Sequence, residues 1–457
     1  MEKFDVLVIG SGSGMIVAAN ALASGLKTAL VEFGLMGGTC LNRGCVPSKM
    51  LIYPADVAEM IREAGKLGVN ATVNSIDFKK IMDRMHELVV GDSQQQARSV
   101  EASPNITWFK DVGEFTSDYT MKIADHMIKA DKIFIVSGAR PDVPKVKGIE
   151  NVRFHTSDTV LNLQTQPKSL VIIGGGYIAT EYGHFFSALG TKVTIVQRGQ
   201  RILPNEEPEI SELLKQEMGK RMEIYTNYEA VEAQESGDTK TVRARDRETG
   251  QLKEFSGEAL LVAAGRVPNS DLLKPEKTGV ELDDRGYIKV NENLETRKKN
   301  VFAFGDAIGK QMFKHVANYE AEIAWHNSQY DHKVKMDYAA APHAVFTHPQ
   351  VASVGLKEDE AKRLGRKILV GKAFYKDTAQ GAAMMETKGF VKVIVDHQEG
   401  KILGAHIIGP YASILIQEVI NAMAAGDKTF VPIVRGLHIH PAMSEVVQIA
   451  FANLRET

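Results

Sequence analysis

The chain has two cysteines, Cys40 and Cys45, and both fall in one glycine-rich segment, Gly37-Gly38-Thr39-Cys40-Leu41-Asn42-Arg43-Gly44-Cys45. Thiols five residues apart, just after a dinucleotide-binding pattern, suggest a redox pair beside a redox cofactor. On an ideal helix, residues i and i+5 lie ~8.6 Å apart at Cα, beyond the ~7 Å limit for a disulfide. Closure therefore needs a distorted helix start, which the glycines at 37, 38 and 44 permit. Such a disulfide is expected to reduce easily and its thiolates to have lowered pKa. Zinc, the rival reading of paired cysteines, fails on count, because neither a second pair nor a neighbouring histidine accompanies them. Two buried free thiols stand as the plainer alternative.

A proton-moving group is found at the far end of the chain. Pro441 fixes the turn after His440, and Glu445 follows at helical spacing. A carboxylate on one ring nitrogen orients an imidazole and stabilises its protonated form. Only the fold could bring that pair to the cysteines.

Two segments have the pattern of a nucleotide site. Gly10-Ser11-Gly12-Ser13-Gly14-Met15 follows an apolar run and opens a helical one, so its backbone can approach a pyrophosphate. Glu32, at the end of the next strand, is placed for an adenosine ribose. The third fingerprint position is Met15, with Gly14 one residue early, so helix–strand packing is expected to be looser there. Gly174-Gly175-Gly176-Tyr177-Ile178-Ala179 is the second pattern. Its second strand ends in Gln197-Arg198-Gly199-Gln200-Arg201, where an NAD site wants a carboxylate and an NADP site arginine. Two surface arginines are the alternative to a phosphate-binding pair at Arg198 and Arg201.

The elements that must position these groups alternate in an α/β manner. Strands are expected at 4–9, 28–32, 133–138, 169–173, 192–196, 391–395 and 402–408. Helices are expected at 15–24, 177–189, 413–424 and 443–452. With 457 residues, 44% hydrophobic and 25% charged, the chain can bury several cores. A net charge of -2 gives no bulk field for nucleic acid or anionic membrane. No apolar run approaches the ~18 residues needed to span a bilayer. The N-terminus leads at once into a strand-like run, leaving no room for a secretory signal, and the expected location is cytoplasmic.

Gly-Gly-Thr-Cys-Leu-Asn-Arg-Gly-Cys-Val-Pro-Ser-Lys, residues 37–49, resembles the redox-active segment of the FAD-dependent pyridine nucleotide–disulfide oxidoreductases. The resemblance covers essentially the whole chain. Thr296 to Asp306 resembles the second FAD motif, Phe313 to Ala317 the flavin-edge helix start, and His438 to Glu445 the C-terminal acid–base motif. Pro342 to Gly355 resembles the opening of the dimerisation domain, with Gln350 where an acid is usual.

The resemblance implies two Rossmann-like three-layer nucleotide-binding domains plus a C-terminal α+β dimerisation domain. The expected bounds are 1–147 and 273–337 for FAD, 148–272 for NAD(P) and 338–457 for dimerisation. The implied catalytic set is Cys40, Cys45, His440 and Glu445, with Lys49 and Glu181 paired near the flavin. Cys45 is the flavin-side thiol and Cys40 the one that exchanges with substrate. Cofactor contacts are expected from Gly10, Gly12, Gly14, Glu32, Gly38, Thr39, Gly138, Asp306 and Ala317 for FAD. Gly174, Gly176, Arg198, Arg201 and Gly265 are expected around NAD or NADP. No metal is expected.

The implied activity is that of a dihydrolipoamide dehydrogenase-like disulfide oxidoreductase, which passes electrons between NAD(P)(H), FAD, the Cys40–Cys45 disulfide and a dithiol or disulfide substrate. His438-Ile439-His440-Pro441 and Ser48-Lys49 resemble dihydrolipoamide dehydrogenases. Lys49 to Pro54 and Gly409 to Gln417 also resemble mycothione reductases. The alternatives are therefore an NADPH-dependent reductase of a low-molecular-weight disulfide (glutathione-, mycothione- or CoA-disulfide-like), a mercuric reductase, or a non-catalytic flavin carrier. The absence of a further cysteine pair and the presence of His440 weigh against mercury. Expected partners are a small dithiol or disulfide, or a lipoyl group on a separate protein, and a second copy of the chain sharing its active sites.

Overall fold

In a computed structural model the chain is described over residues 1–456. It divides into two compact units. The first comprises Met1–Met50, Lys80–Asp142 and Gly265–Met336; the second comprises Leu51–Lys79, Val143–Ala264 and Asp337–Thr457.

The first unit is built on a parallel sheet. Strand Glu2–Ile9 pairs in parallel with Thr28–Val31 on one side and with His126–Ile135 on the other. Ile106–Phe109 extends one edge, and Val301–Ala303 joins the second half of His126–Ile135. Val6 to Ile9 and Ile133 to Ile135 are almost fully buried, as a parallel sheet covered on both faces requires. Helix Gly14–Ala23 connects the first two strands. Strand His126–Ile135 begins seven residues before the expected start, because its first half, with Ile128 and Ala130 buried, pairs with an antiparallel hairpin, Gly113–Ser117 and Thr120–Ile123. It stops at Ile135, and Val136 to Gly138 are irregular. A 24-residue helix, Phe78–Glu101, has no counterpart among the expected elements.

The second unit carries the other nucleotide fold and the C-terminal sheet. Strands Glu223–Thr226, Lys192–Gln197, Ser169–Ile173 and Ala259–Val262 lie side by side in parallel, with helix Tyr177–Ala188 after the central strand. A three-stranded antiparallel sheet, residues 228–257, is inserted before the last strand. The C-terminal sheet is six-stranded and antiparallel, and helices Ala412–Ala424 and Glu445–Ala452 bury Val419, Val446 and Phe451 against it. The expected helix start at Met443 moves to Glu445, since Ala442 to Ser444 form a turn held by the Glu445 carboxylate.

A buried charge cluster anchors the second nucleotide fold to this sheet. The Glu206 carboxylate bonds His343 and Ser353. The Lys392 ammonium lies 3.0 Å from Glu207, 3.1 Å from Glu209 and 2.7 Å from Glu358. Burial works against that ammonium, but the three carboxylates outweigh it and its pKa is raised. Removing one member would leave charge buried without a partner, the costly way to break such a cluster. Among the described residues no helix is long and apolar enough to cross a membrane.

Candidate active site

The cysteine segment has the distortion that its spacing demands. Helix Gly38–Asn42 ends at Arg43, whose φ of -145° leaves the helical region, and a new helix, Cys45–Glu63, begins at Cys45. The Asn42 amide donates to the carbonyls of Leu35, Met36 and Gly38, at 3.2, 3.0 and 3.0 Å. Ser93, on the long helix, donates to the Met36 carbonyl at 2.8 Å. The segment is thus held from both sides.

Cys40 and Cys45 are in the dithiol form, Cys40 half-buried and Cys45 exposed. The expectation of a lowered thiolate pKa does not hold for Cys40. Its hydrogen bond with Cys45 and its burial push the thiol well up, and the Lys314 ammonium pulls it back down. Helix-start placement alone misses the cost of a second sulfur beside the first.

The first nucleotide turn sits directly beside this segment. Gly10 has φ +108°, and a Cβ there would stand 2.3 Å from the Val136 carbonyl oxygen. Gly14 meets the Val8 side chain so closely that a Cβ would lie 2.8 Å from it. Helix and strand are therefore tightly packed, and the looseness expected from Met15 is absent because Gly14 makes the contact. Glu32 accepts from the Ser11 amide at 3.0 Å, the Ser11 hydroxyl at 2.8 Å and the Gly34 amide at 2.8 Å. A carboxylate offers about four acceptor sites, so one is left for a ribose hydroxyl.

The residues present fit FAD. Gly12 has open space where a side chain would stand, and Gly38 presses its backbone against Gly12, making a cradle of bare main chain. Across the sheet, Glu320 accepts from the Gly305 amide at 2.7 Å and fixes the turn carrying Asp306. Burial pushes the Asp306 carboxyl up and Arg266, 3.8 Å away, lowers it. Arg266 Nε is buried without a hydrogen-bond partner, the mark of a group awaiting a ligand. Ala317 packs under Gly305 in the first turn of helix Lys314–Gln329, and Gly138 closes the turn against Asn269. Thr39 is half-buried on the Cys40 helix.

Beside this cradle lies a groove of about 600 Å³. Of the two cysteines, Cys40 lines it, together with Asp92, Gln95 and Ser99 of the long helix, with Lys314 and Asn318, and with the apolar Met15, Ile16, Leu41 and Val46. Sequence reasoning missed these lining groups. Asp92, Gln95 and Ser99 share one helix face at intervals of three and four, a periodicity that could have flagged them.

In the second unit, Gly174 repeats the device of Gly10, with φ +122° and a hypothetical Cβ 2.2 Å from the Ala263 carbonyl oxygen. Gly176 precedes helix Tyr177–Ala188, whose first turn has no side-chain cap. Gln197 donates to the Arg201 carbonyl at 3.1 Å. Arg198 is 73% exposed and 3.7 Å from Glu229, and Arg201 is exposed. Arg247, absent from the expected set, donates to the Arg198 carbonyl at 3.4 Å. Glu181 accepts from the Phe346 amide at 3.0 Å. In the first unit, Gly265 accepts from the Asp142 amide and Lys49 donates to Ser48 at 3.3 Å.

His440 Nδ1 is 2.9 Å from Glu445, which also accepts from the Ala442 amide at 3.0 Å. The His440 bond holds the Glu445 carboxyl below the usual carboxylate range. The ring itself is 74% exposed, so its free edge faces outward. Among the described residues no cluster of three or more His, Cys, Asp or Glu side chains is placed to hold a metal.

Comparison with known proteins agrees with this arrangement. The mycothione reductase of Mycobacterium tuberculosis H37Rv is 38% identical over the full length of both chains. The dihydrolipoyl dehydrogenase of Chlamydia muridarum is 36% identical, over 97% of this chain and 95% of that one. The solved HOCl-induced flavoprotein disulfide reductase RclA from Escherichia coli is 27% identical, with a TM-score of 0.86 over 98% of this chain and 99% of that one. Residues 341–451 match the dimerisation domain of the pyridine nucleotide-disulphide oxidoreductases. Residues 4–321 match the domain that precedes it, and the chain, an oxidoreductase using FAD and NAD(P)H, belongs to the pyridine nucleotide-disulphide oxidoreductase family.

Proposed function

We propose that the chain reduces a polar, low-molecular-weight disulfide with NADPH as reductant. The groove carries this reading: beside the apolar Met15, Ile16, Leu41 and Val46, its lining adds to Cys40 the carboxylate, amide, hydroxyl and ammonium groups of Asp92, Gln95, Ser99, Lys314 and Asn318. A lipoyl arm would use only the apolar part of that lining and leave its polar groups without a ligand partner. A polar disulfide can hydrogen-bond to Gln95, Ser99 and Asn318. The full-length similarity to a mycothione reductase supports the same choice.

Bound FAD supplies the two-electron relay between NAD(P)H and the Cys40–Cys45 disulfide. The protein's own residues complete the exchange. The Cys40 thiolate attacks the substrate disulfide, forms a mixed disulfide and releases one thiolate. Cys45 then attacks the Cys40 sulfur, frees the second thiolate and restores the Cys40–Cys45 bond. Two protein thiols are oxidised and one substrate disulfide becomes two thiols. His440, oriented by Glu445, gives the departing thiolates their protons. The exposed ring edge of His440 supports a role toward another surface, and we assign it to the cysteines of a second copy in a homodimer. Lys49 and Glu181 are assigned to the hydride-transfer end. The three arginines at 198, 201 and 247 support a 2′-phosphate ligand and hence NADPH. We assign the reaction to the cytoplasm, where a disulfide pair is more often catalytic than structural.

Oxidation of dihydrolipoamide is the second reading, favoured by the His438-Ile439-His440-Pro441 pattern and by relatives named dihydrolipoyl dehydrogenase. Steady-state kinetics on dihydrolipoamide, glutathione disulfide and a mycothiol-type disulfide, each with both nicotinamides, separates the two. The proposal expects kcat/KM for the best polar disulfide to exceed that for lipoamide by at least about 10-fold. The reverse order returns the chain to the lipoyl reading.

A further inference from the structure

Lys314 occupies the first position of a 16-residue helix, where the helix dipole disfavours a cation. Its side chain is half-buried, and burial lowers its proton affinity. Neither feature serves the helix, so the lysine is held there by its surroundings. Its ammonium donates to the Ser13 hydroxyl at 3.2 Å, and that hydroxyl donates to Asn318 at 2.9 Å. This short relay fixes the ammonium on the wall of the groove that Cys40 also lines.

The charged and titratable groups near Cys40 come from three elements. Cys45 opens the helix after the break, Lys314 opens the helix across the groove, and Asp92 faces in from the long helix. Arg43, in the break itself, extends toward Gly34. Among the residues that line the groove with Cys40, Lys314 is the cation. We propose that Lys314 is a positioning residue for disulfide exchange: its ammonium, set by Ser13 and Asn318 on the wall of the groove that Cys40 lines, presents a positive charge that favours the attacking thiolate of Cys40. The direction of the Lys314 effect on the Cys40 thiol is downward, as this role requires. The inference rests on the assignment of Cys40 as the exchanging thiol.

The test uses the FAD-loaded protein, reduced anaerobically and alkylated with iodoacetamide across a pH series, with modification of the Cys40 peptide followed by mass spectrometry. A parallel series in a His440→Ala background removes the imidazole's titration from the profile. Lys314→Met, which keeps the stem and deletes the charge, is expected to move the Cys40 midpoint upward. Alkylation at pH 7 should slow by about 3- to 10-fold, tenfold corresponding to one pKa unit. Lys314→Arg should restore most of the rate, and Ser13→Ala should give a smaller shift in the same direction. Flavin absorbance reports whether each variant is folded. An unchanged midpoint in folded Lys314→Met, or a failure of Lys314→Arg to restore it, overturns the inference. If full alkylation of Cys40 in the unsubstituted protein leaves disulfide turnover intact, the assignment of Cys40 fails instead, and the two failures are distinct.

Discussion

The two nucleotide folds use the same backbone device and opposite chemistry at the strand end. Gly10 and Gly174 both hold positive φ with a carbonyl oxygen where a side chain would begin. After the second strand of each fold they diverge. Glu32 is gripped by Ser11 and Gly34 and keeps one acceptor site open. Gln197 is turned onto the Arg201 carbonyl, with exposed arginines around it. The difference teaches that the glycine turn makes a pyrophosphate seat, while the next strand's last residue decides what the ribose may carry.

The strongest way to break the comparison is to fill each turn. Gly10→Ala should bring the flavin-to-protein ratio close to zero. Gly174→Ala should leave that ratio unchanged and lower kcat/KM for the nicotinamide by about 100-fold, both substitutions forcing a Cβ onto a carbonyl oxygen. Flavin absorbance and steady-state rates check both, and loss of flavin in Gly174→Ala would show that the folds are not independent.

Glu32→Gln tests the first strand end alone. It removes the charge that accepts three hydrogen bonds and should weaken FAD rebinding to the apoprotein by about 10-fold. Nicotinamide kinetics of the reloaded enzyme should not change.

Arg198→Ala tests the second strand end. The ratio of kcat/KM for NADPH to that for NADH should fall by about 10-fold, the value of one charge-assisted contact to a phosphate. A ratio that does not move makes Arg198 a plain surface residue. Arg247→Ala should lower the same ratio by about 2-fold, since its guanidinium is bonded to the Arg198 carbonyl and acts mainly by supporting that loop.

The parts of the fold with strong local patterns were legible in the sequence. Strand Ser169–Ile173 has its expected bounds, because an apolar run ended by three glycines leaves one reading. The Cys40–Cys45 spacing called for a broken helix, and the break is at Arg43. Polar alternation hid the first half of strand His126–Ile135, where Lys129 and Asp131 face outward from the sheet. Met15 suggested loose packing because the pattern is counted by position, whereas Gly14 makes the contact in space. Lys314 was legible only as part of the segment resembling the flavin-edge helix start and Asn318 not at all, because their partner Ser13 lies about 300 residues away. Arg266 carries no signal of its own in the sequence, and its buried Nε without a hydrogen bond appears only once the chain is folded.

The central claim is that Cys40 and Cys45 form a redox pair coupled to the flavin. Anaerobic reductive titration of the FAD-loaded chain tests it most directly. The account predicts uptake of about four electrons per chain, two in the flavin and two in the cysteine pair, falling to about two in Cys45→Ser. Uptake of about two electrons by the unsubstituted protein would contradict it.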